Sequence, residues 1–207
     1  FEGVSRYDPP LSSAHTVHET SDSLSHSMKL RKGSQDATGL TFGIVASKFN
    51  KFVTSRLLTE CVKALTKAGV TDEAIEVVRV PGAFEIPLVA RQLARSGRFD
   101  AVICLGAVIR GDTPHFEYIS TEVSRGILQA SMDSNIPVIF GVLTTDTVAQ
   151  AIERADPEQL NRGADVAKTA IEMVNVMRLL KKEGSGEAPQ PATPSRRAGR
   201  SAARPKR

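Results

Sequence analysis

The sequence predicts a three-layer α/β/α sandwich built on a four-stranded parallel β-sheet. Four short apolar segments alternate with segments whose apolar residues recur at helical spacing. The third apolar segment is a continuous run, AVICLGAVI, as expected for a strand that is buried on both faces. Strands that alternate with helices are joined by right-handed crossovers, which place helices on both faces of a parallel sheet.

The first half of this alternation contains two strands and two helices. The segment LTFGIVAS predicts the first strand, and the helical spacing that follows it ends at Gly69, a residue type that commonly terminates helices. The segment IEVVRV predicts the second strand, which a Pro-Gly pair closes. Residues 84–96 then predict a helix with Pro87 in its first turn, where a missing N–H costs little.

The second half repeats the pattern after the central strand. Apolar residues from Phe116 to Ala130 predict a long helix, and VIFGVLT predicts the fourth strand. Asp146 is expected to cap a short helix that follows this strand. The last helix is marked by apolar residues from Ala167 onward, and it is expected to stop at Gly184.

Composition divides the chain into a folded domain and two polar ends. Residues 38–182 are assigned to the domain, and residues 1–37, rich in Ser, Thr, His and Pro, to a disordered extension. The formal net charge is +4, but residues 188–207 hold six basic side chains and no acid. Without them, 21 basic residues face 23 acidic ones. The segment 183–207 is therefore predicted to be a flexible basic tail, which would serve solubility or contact a polyanion such as RNA or DNA.

Several protein classes and cofactors are disfavoured by the sequence. No apolar run approaches the roughly 20 residues that a membrane span needs, and no secretory signal is visible. Cys61 and Cys104 lie in apolar patterns, which predicts reduced core thiols and a cytoplasmic protein. No dinucleotide fingerprint, Walker A motif or metal-ligand spacing occurs, so nucleotide cofactors and a metal site are disfavoured. His15, His18 and His26 are interpreted as solvated.

Ligands of open α/β sheets bind beyond the carboxyl ends of the strands. The residues that follow the four predicted strands form the segments 47–50, 81–85, 110–115 and 144–146. Two aromatic residues, a carboxylate and a histidine are thus expected along one edge of the sheet. A structural scaffold does not require this combination of side chains at one edge of the sheet. The combination therefore predicts a binding site there.

The third of these segments, RGDTPH, has the features of a phosphate site beside a base. Gly111 permits close approach to the backbone, and Thr113 with the start of a helix offers a hydroxyl and free N–H groups to an anion. His115 lies in the first helical turn, and imidazole side chains exchange protons near neutral pH. A capped helix that carries a surface histidine explains the spacing equally well, so both interpretations remain open.

Five ordered segments of the sequence together point to a known family. They are FGIVASKFN, VRVPGAFEIP, GAVIRGDTPHFEYI, FGVLTTDTVAQAIERA and NRGADVAKTAIEM. The chain resembles the 6,7-dimethyl-8-ribityllumazine synthase family over roughly residues 38–180. The resemblance implies a flavodoxin-like strand order and a transferase without cofactors that acts in riboflavin biosynthesis. The implied reaction condenses 5-amino-6-(D-ribitylamino)uracil with 3,4-dihydroxy-2-butanone 4-phosphate, giving 6,7-dimethyl-8-ribityllumazine, phosphate and water.

The resemblance also implies roles for individual residues. His115 is expected to move protons. The pyrimidine and ribityl site is expected to consist of Phe49, Ala83, Phe84, Glu85, Ala107, Val108, Ile109 and, from an adjacent subunit, Phe140. The phosphate site is expected to consist of Asp112, Thr113 and, again from the adjacent subunit, Arg154. From spacing alone, the favoured interpretation of Phe140 is a core residue and that of Arg154 a solvated helix residue.

The resemblance further implies a homo-oligomer with active sites between adjacent subunits. The expected assembly is a pentamer, with a 60-subunit icosahedral shell and association with riboflavin synthase left open. The chain departs from the pattern at Arg162, where many members carry lysine, and at Pro157 in the preceding loop. One alternative is a flavin- or lumazine-binding protein with the same pocket and little catalysis. Another is a shell-forming protein with the same pocket.

Overall fold

The computed structural model describes residues 29–184, which contain four strands and five α-helices. A single 3-10 turn, Asp72–Ala74, precedes the second strand. In chain order the elements are β1 (Phe42–Ser47), α1 (Lys51–Lys67), β2 (Ile75–Val80), α2 (Ile86–Arg95), β3 (Ala101–Ile109), α3 (His115–Ser134), β4 (Val138–Thr145), α4 (Val148–Ala155) and α5 (Arg162–Gly184).

The four strands form one parallel sheet in the order β2-β1-β3-β4. The two central strands are almost wholly buried, because helices cover both faces of the sheet. This arrangement confirms the predicted three-layer sandwich, and the strand order is the flavodoxin-like one. The predicted alternation is confirmed as well, since each apolar segment forms a strand and each helical pattern a helix.

Two apolar cores lie on the two faces of the sheet. Alternate residues of β1 enter different cores: Phe42 and Ile44 pack toward α1 and α5, whereas Val45 packs toward α2 and α3. Large side chains such as Leu57 of α1 are fully buried. Burying one such side chain is worth about 1.5–3 kcal/mol, so both faces contribute to holding the strand ends in place.

The chain segment before β1 packs against α5. Gly33 and Ala37 are buried, and the Asn175 side chain donates hydrogen bonds to the Ser34 and Asp36 carbonyl oxygens at 3.0 and 2.9 Å. These residues belong to the segment that composition groups with the polar extension. The rest of that extension up to residue 28, and the tail from residue 185, lie outside the described residues.

Helix ends follow the predicted signals with one exception. Gly69 has a φ of 97° just after α1, and Pro87 occupies the first turn of α2, as predicted. The prediction that Asp146 caps α4 is wrong. The cap is Thr147, whose hydroxyl accepts the Gln150 N–H at 3.2 Å. The Asp146 carboxylate instead accepts a hydrogen bond from Arg110, a partner distant in sequence.

Gly163 of α5 is required by close packing on α1. A Cβ at this position would lie 2.6 Å from the Leu57 carbonyl oxygen, a backbone atom that cannot rotate away. We expect Gly163→Ala to lower the free energy of unfolding by roughly 1–3 kcal/mol, because overpacking outweighs the better helix propensity of alanine. Urea denaturation at fixed protein concentration measures this. The exposed Thr169→Ala on the same helix should change it by less than about 0.5 kcal/mol, and equal effects would contradict the packing argument.

Both cysteines are buried free thiols. Burial raises the pKa of the Cys61 thiol to about 12, and it raises the pKa of Cys104 as well. Because the thiolate is the reactive form, we expect neither cysteine of the native protein to react with a disulfide reagent at pH 8. Both should react after denaturation. Rapid labelling of the native protein would show that one of these core regions opens.

The described helices and side chains contain neither a membrane span nor a metal site. Along residues 29–184, none of the helices combines the length and the apolar composition that crossing a membrane requires. Within the same residues, no three His, Cys, Asp or Glu side chains are grouped in a way that could hold a metal ion.

Candidate active site

A cavity of about 520 Å³ opens at the carboxyl ends of β1, β2 and β3 and at the start of α3. This is the edge of the sheet at which the sequence predicts a binding site. The lining residues are Phe49, Gly82, Ala83, Phe84, Glu85, Ala107, Val108, His115 and Ile119. The structure therefore brings together seven of the predicted site residues, from three different loops and strand ends.

Two aromatic rings stand at the mouth of this cavity. The Lys48 and Phe49 N–H groups donate to the carbonyl oxygens of Val80 and Pro81 at 2.8 and 3.0 Å, which joins the loop after β1 to the loop after β2. Phe49 is 68% exposed and Phe84, from the neighbouring loop, 57% exposed. Exposed apolar rings beside a cavity are typical of a ligand-binding surface.

The loop after β2 fixes the orientation of the Glu85 carboxylate. Its Oε2 atom accepts the Gly82 N–H at 2.8 Å, and Ala83 between them is buried. A carboxylate has about four acceptor positions, so Glu85 can accept further hydrogen bonds from a ligand. Glu85 is one of the residues that line the cavity.

The floor of the cavity is formed by β3 and is braced by Asn50. Asn50 has a left-handed backbone, with φ 53° and ψ 47°, and its Nδ2 donates to the Ala107 carbonyl oxygen at 3.0 Å. Asn is one of the few residue types that tolerate this conformation. Ile109, at the end of β3, pairs with Thr145 and does not line the cavity. Sequence reasoning assigned no role to Asn50.

The loop between β3 and α3 is exposed, and His115 at its end lines the cavity. Asp112 and Thr113 lie in this loop beside the cavity and are not part of its lining. The residue that precedes α3 is Pro114, whose side chain has no acceptor atom to cap the first N–H groups. The start of this 20-residue helix is therefore a favourable position for an anion.

Arg110, at the start of this loop, contacts Asp146 after β4 and two residues in the first turn of α3. Its Nε donates to Asp146 Oδ1 at 2.7 Å, its Nη1 donates to Glu117, and its guanidinium lies 4.3 Å from the centre of the Phe116 ring. The hydrogen bonds that Arg110 donates to Asp146 and Glu117 raise the pKa of Arg110, and the same contact lowers the pKa of Glu117. Arg110 and Glu117 are therefore both charged near neutral pH.

Phe140 and Arg154 are the two predicted site residues assigned to an adjacent subunit. Phe140 is in the middle of β4, opposite Cys104, and is 43% exposed, so the interpretation of Phe140 as a core residue is wrong. Arg154 ends α4, where its Nη1 donates to the Gln150 carbonyl oxygen at 3.1 Å and lies 3.5 Å from the Glu153 carboxylate. Neither residue lines the cavity.

The comparison with known proteins agrees with this geometry. The family model that matches residues 39–178 is described as 6,7-dimethyl-8-ribityllumazine synthase. A protein of that name from Syntrophus aciditrophicus (strain SB) is 61% identical over 142 residues, which cover 69% of this chain and 92% of the relative. The chain belongs to the 6,7-dimethyl-8-ribityllumazine synthase family. The matched residues run from just before β1 into α5, so they include the whole cavity.

Membership of the 6,7-dimethyl-8-ribityllumazine synthase family establishes the activity. The chain is a transferase of riboflavin biosynthesis that condenses 5-amino-6-(D-ribitylamino)uracil with 3,4-dihydroxy-2-butanone 4-phosphate. The predictions of family, reaction and enzyme class are therefore confirmed. The comparisons give no support to the alternative of a ring-binding or shell-forming protein with little catalysis.

Proposed function

We propose that the condensation takes place in the cavity at the carboxyl ends of β1, β2 and β3. The observation that carries this proposal is the convergence of two exposed rings, the Glu85 carboxylate and His115 on one cavity, beside the free start of α3. An aromatic substrate and an anionic substrate need different partners. This cavity offers both kinds within one space.

The pyrimidine substrate fits the wall formed by the loops after β1 and β2. Phe49 and Phe84 present ring faces on which a flat heterocycle stacks. The backbone of Ala107, Val108 and Ile109 offers polar groups to the edge of the ring. Glu85, already oriented by the Gly82 N–H, accepts hydrogen bonds from ribityl hydroxyls, while buried Ala83 shapes the same wall.

The phosphate of the second substrate fits the loop between β3 and α3. The free N–H groups at the start of α3, the Thr113 hydroxyl and the backbone N–H of Asp112 donate to phosphate oxygens. Arg154 of an adjacent subunit adds a fixed positive charge with paired donors. Because phosphate is expelled, negative charge grows on it in the transition state. Donors held in place before the reaction stabilise that charge without reorganisation.

His115 lies where protons must move during the reaction. The amine of the pyrimidine attacks the ketone, and loss of water gives an imine. A proton then leaves the substrate carbon as the C–O bond to phosphate breaks, and His115 accepts it. The enol that results tautomerises, and the second amine closes the ring with loss of another water. Holding both substrates together supplies much of the rate enhancement.

The proposed assembly is a homopentamer whose active sites lie between adjacent subunits. Phe140 and Arg154 do not line the cavity of their own chain, which fits a role in the cavity of a neighbour. The outer sides of α2 and α3 expose Leu88, Leu128 and Met132, an apolar surface that association would cover. A 60-subunit shell, association with riboflavin synthase and a cytoplasmic location belong to the same proposal.

Two measurements test this function. Purified protein mixed with both substrates should produce lumazine, followed by its absorbance, at a rate far above the mixture without protein. Phe49→Ala should raise the KM for the pyrimidine substrate, and Leu180→Ala, at an exposed position of α5, should leave that KM unchanged. An unaffected KM in Phe49→Ala would place the pyrimidine elsewhere. Light scattering should give a particle of five or sixty chain masses, and a monomer would contradict the shared site.

A further inference from the structure

We propose that Arg110 is a positioning residue that holds the β3–α3 loop, residues 111–114, in the shape that binds the substrate phosphate. We propose in addition that its charge offsets two carboxylates beside that loop. The inference rests on the proposed role of this loop in phosphate binding. In this role Arg110 touches neither substrate and acts through its neighbours.

On one side, Arg110 is anchored to the end of β4. Its backbone N–H donates to the Thr145 carbonyl oxygen at 2.9 Å, which extends the β3–β4 pairing by one residue. Its side chain donates from Nε to Asp146 Oδ1 at 2.7 Å. Asp146 is held in turn, because its own N–H donates to the Gln150 side chain at 2.9 Å. The backbone and the side chain of Arg110 are thus both held by the end of β4 and the residue that follows it.

On the other side, the same guanidinium reaches the first turn of α3. It donates to the Glu117 carboxylate and lies 4.3 Å over the Phe116 ring. One planar group at the start of the loop therefore joins the end of β4 to the helix that follows the loop. Arginine suits this position because its donors form a rigid fork and its plane stacks on an aromatic ring, which the single ammonium of lysine does not reproduce.

The loop itself contains little that would fix its shape. Residues 111–114 are exposed, and in the part of the chain that the structure describes the Asp112 and Thr113 side chains make no hydrogen bond. Segments with few contacts open easily. The geometry of the proposed phosphate donors therefore depends on what holds the ends of the loop. Arg110 lies at the first end, where Thr145 and Asp146 hold it, and its side chain reaches Glu117 at the second end.

Charge gives a second reason for an arginine here. Three carboxylates, those of Asp112, Glu117 and Asp146, lie in or beside the proposed phosphate site, and each repels an anion. Arg110 forms ion pairs with two of them. Without Arg110, Glu117 would stand uncompensated in the first turn of α3, beside the N–H groups that are proposed to receive the phosphate.

The test compares Arg110→Ala with Arg98→Ala. Arg98 pairs with Glu76 and lies 4.6 Å over the Phe99 ring, so it makes the same kinds of contact at the opposite edge of the sheet. We expect Arg110→Ala to raise the KM for the phosphate substrate about tenfold or more, the scale of losing a hydrogen bond between charged groups. The KM for the pyrimidine substrate should stay unchanged. Arg98→Ala should leave both KM values at wild type.

Conservative and compensating variants separate positioning from charge. Arg110→Lys keeps the charge and loses the fork, so its KM for the phosphate substrate should lie between those of wild type and Arg110→Ala. Adding Glu117→Gln to Arg110→Ala should recover part of the charge effect. Should Arg110→Ala not be obtained as folded protein, Arg110→Lys is measured alone, and a wild-type KM in that variant would overturn the proposal.

Thr113→Ala distinguishes failure of this inference from failure of the proposed phosphate site. If Thr113→Ala raises the KM for the phosphate substrate and Arg110→Ala does not, Arg110 has no positioning role and the phosphate site stands. If neither variant changes that KM, the phosphate binds elsewhere and both proposals are wrong. Equal increases of both KM values in Arg110→Ala would show a general structural defect and would also overturn the positioning role.

Discussion

His115→Ala is expected to lower kcat by about 100-fold, at the lower end of what a general acid–base contributes, while some catalysis persists. Activity persists because the loop after β3 and the aromatic wall still hold the two substrates together. The KM values should change little, since His115 is an exposed residue at one side of the cavity and is not proposed to hold either substrate. Lumazine formation at saturating substrates measures kcat directly.

A matched control for His115 is available on the same helix. Tyr118 is an exposed residue three positions further along α3, and it does not line the cavity. We therefore expect Tyr118→Ala to leave kcat unchanged. Imidazole added to His115→Ala should restore part of the rate if the lost function is proton transfer. A turnover equal to wild type in His115→Ala would remove this residue from the mechanism.

The fold could be predicted because burial in a parallel sheet leaves a clear pattern. β3 is covered by helices on both faces, so nearly all of its nine residues are buried and the strand appears as one apolar run. The cap of α4, where the prediction is wrong, depends on a different kind of information. Asp146 and Thr147 are both good capping residues, and a tertiary contact to Arg110 decides between them.

The candidate site could be predicted in part, because the strand order of a parallel sheet decides which loops lie side by side. Parallel strands end at one edge of the sheet, so residues that follow different strands, such as Phe49, Phe84 and His115, meet although they are distant in sequence. Asn50 and Arg110 were missed because their roles depend on partners 57 and 36 residues away. An asparagine that directly precedes a helix was the one local signal for the left-handed backbone at Asn50.

Arg154→Ala is expected to raise the KM for the phosphate substrate about 10- to 100-fold, the equivalent of losing a charge-assisted hydrogen bond. The KM for the pyrimidine substrate should not change, because stacking on Phe49 and Phe84 is unaffected. Arg95 also lies in the last turn of a helix, α2, so Arg95→Ala is the matched control and should leave both values unchanged. An unaltered KM in Arg154→Ala would exclude Arg154 from the phosphate site.

Mixing the two variants tests whether Arg154 acts in the cavity of a neighbouring subunit. When His115→Ala and Arg154→Ala chains are dissociated, mixed and reassembled in equal amounts, a shared site gives about one quarter of sites with both residues intact. The mixed protein should then exceed the mean activity of the two separate variants. If each site used residues of one chain, every site would carry one defect, and mixing would leave the activity at that mean. Arg154 does not line the cavity of its own chain, which favours the first outcome.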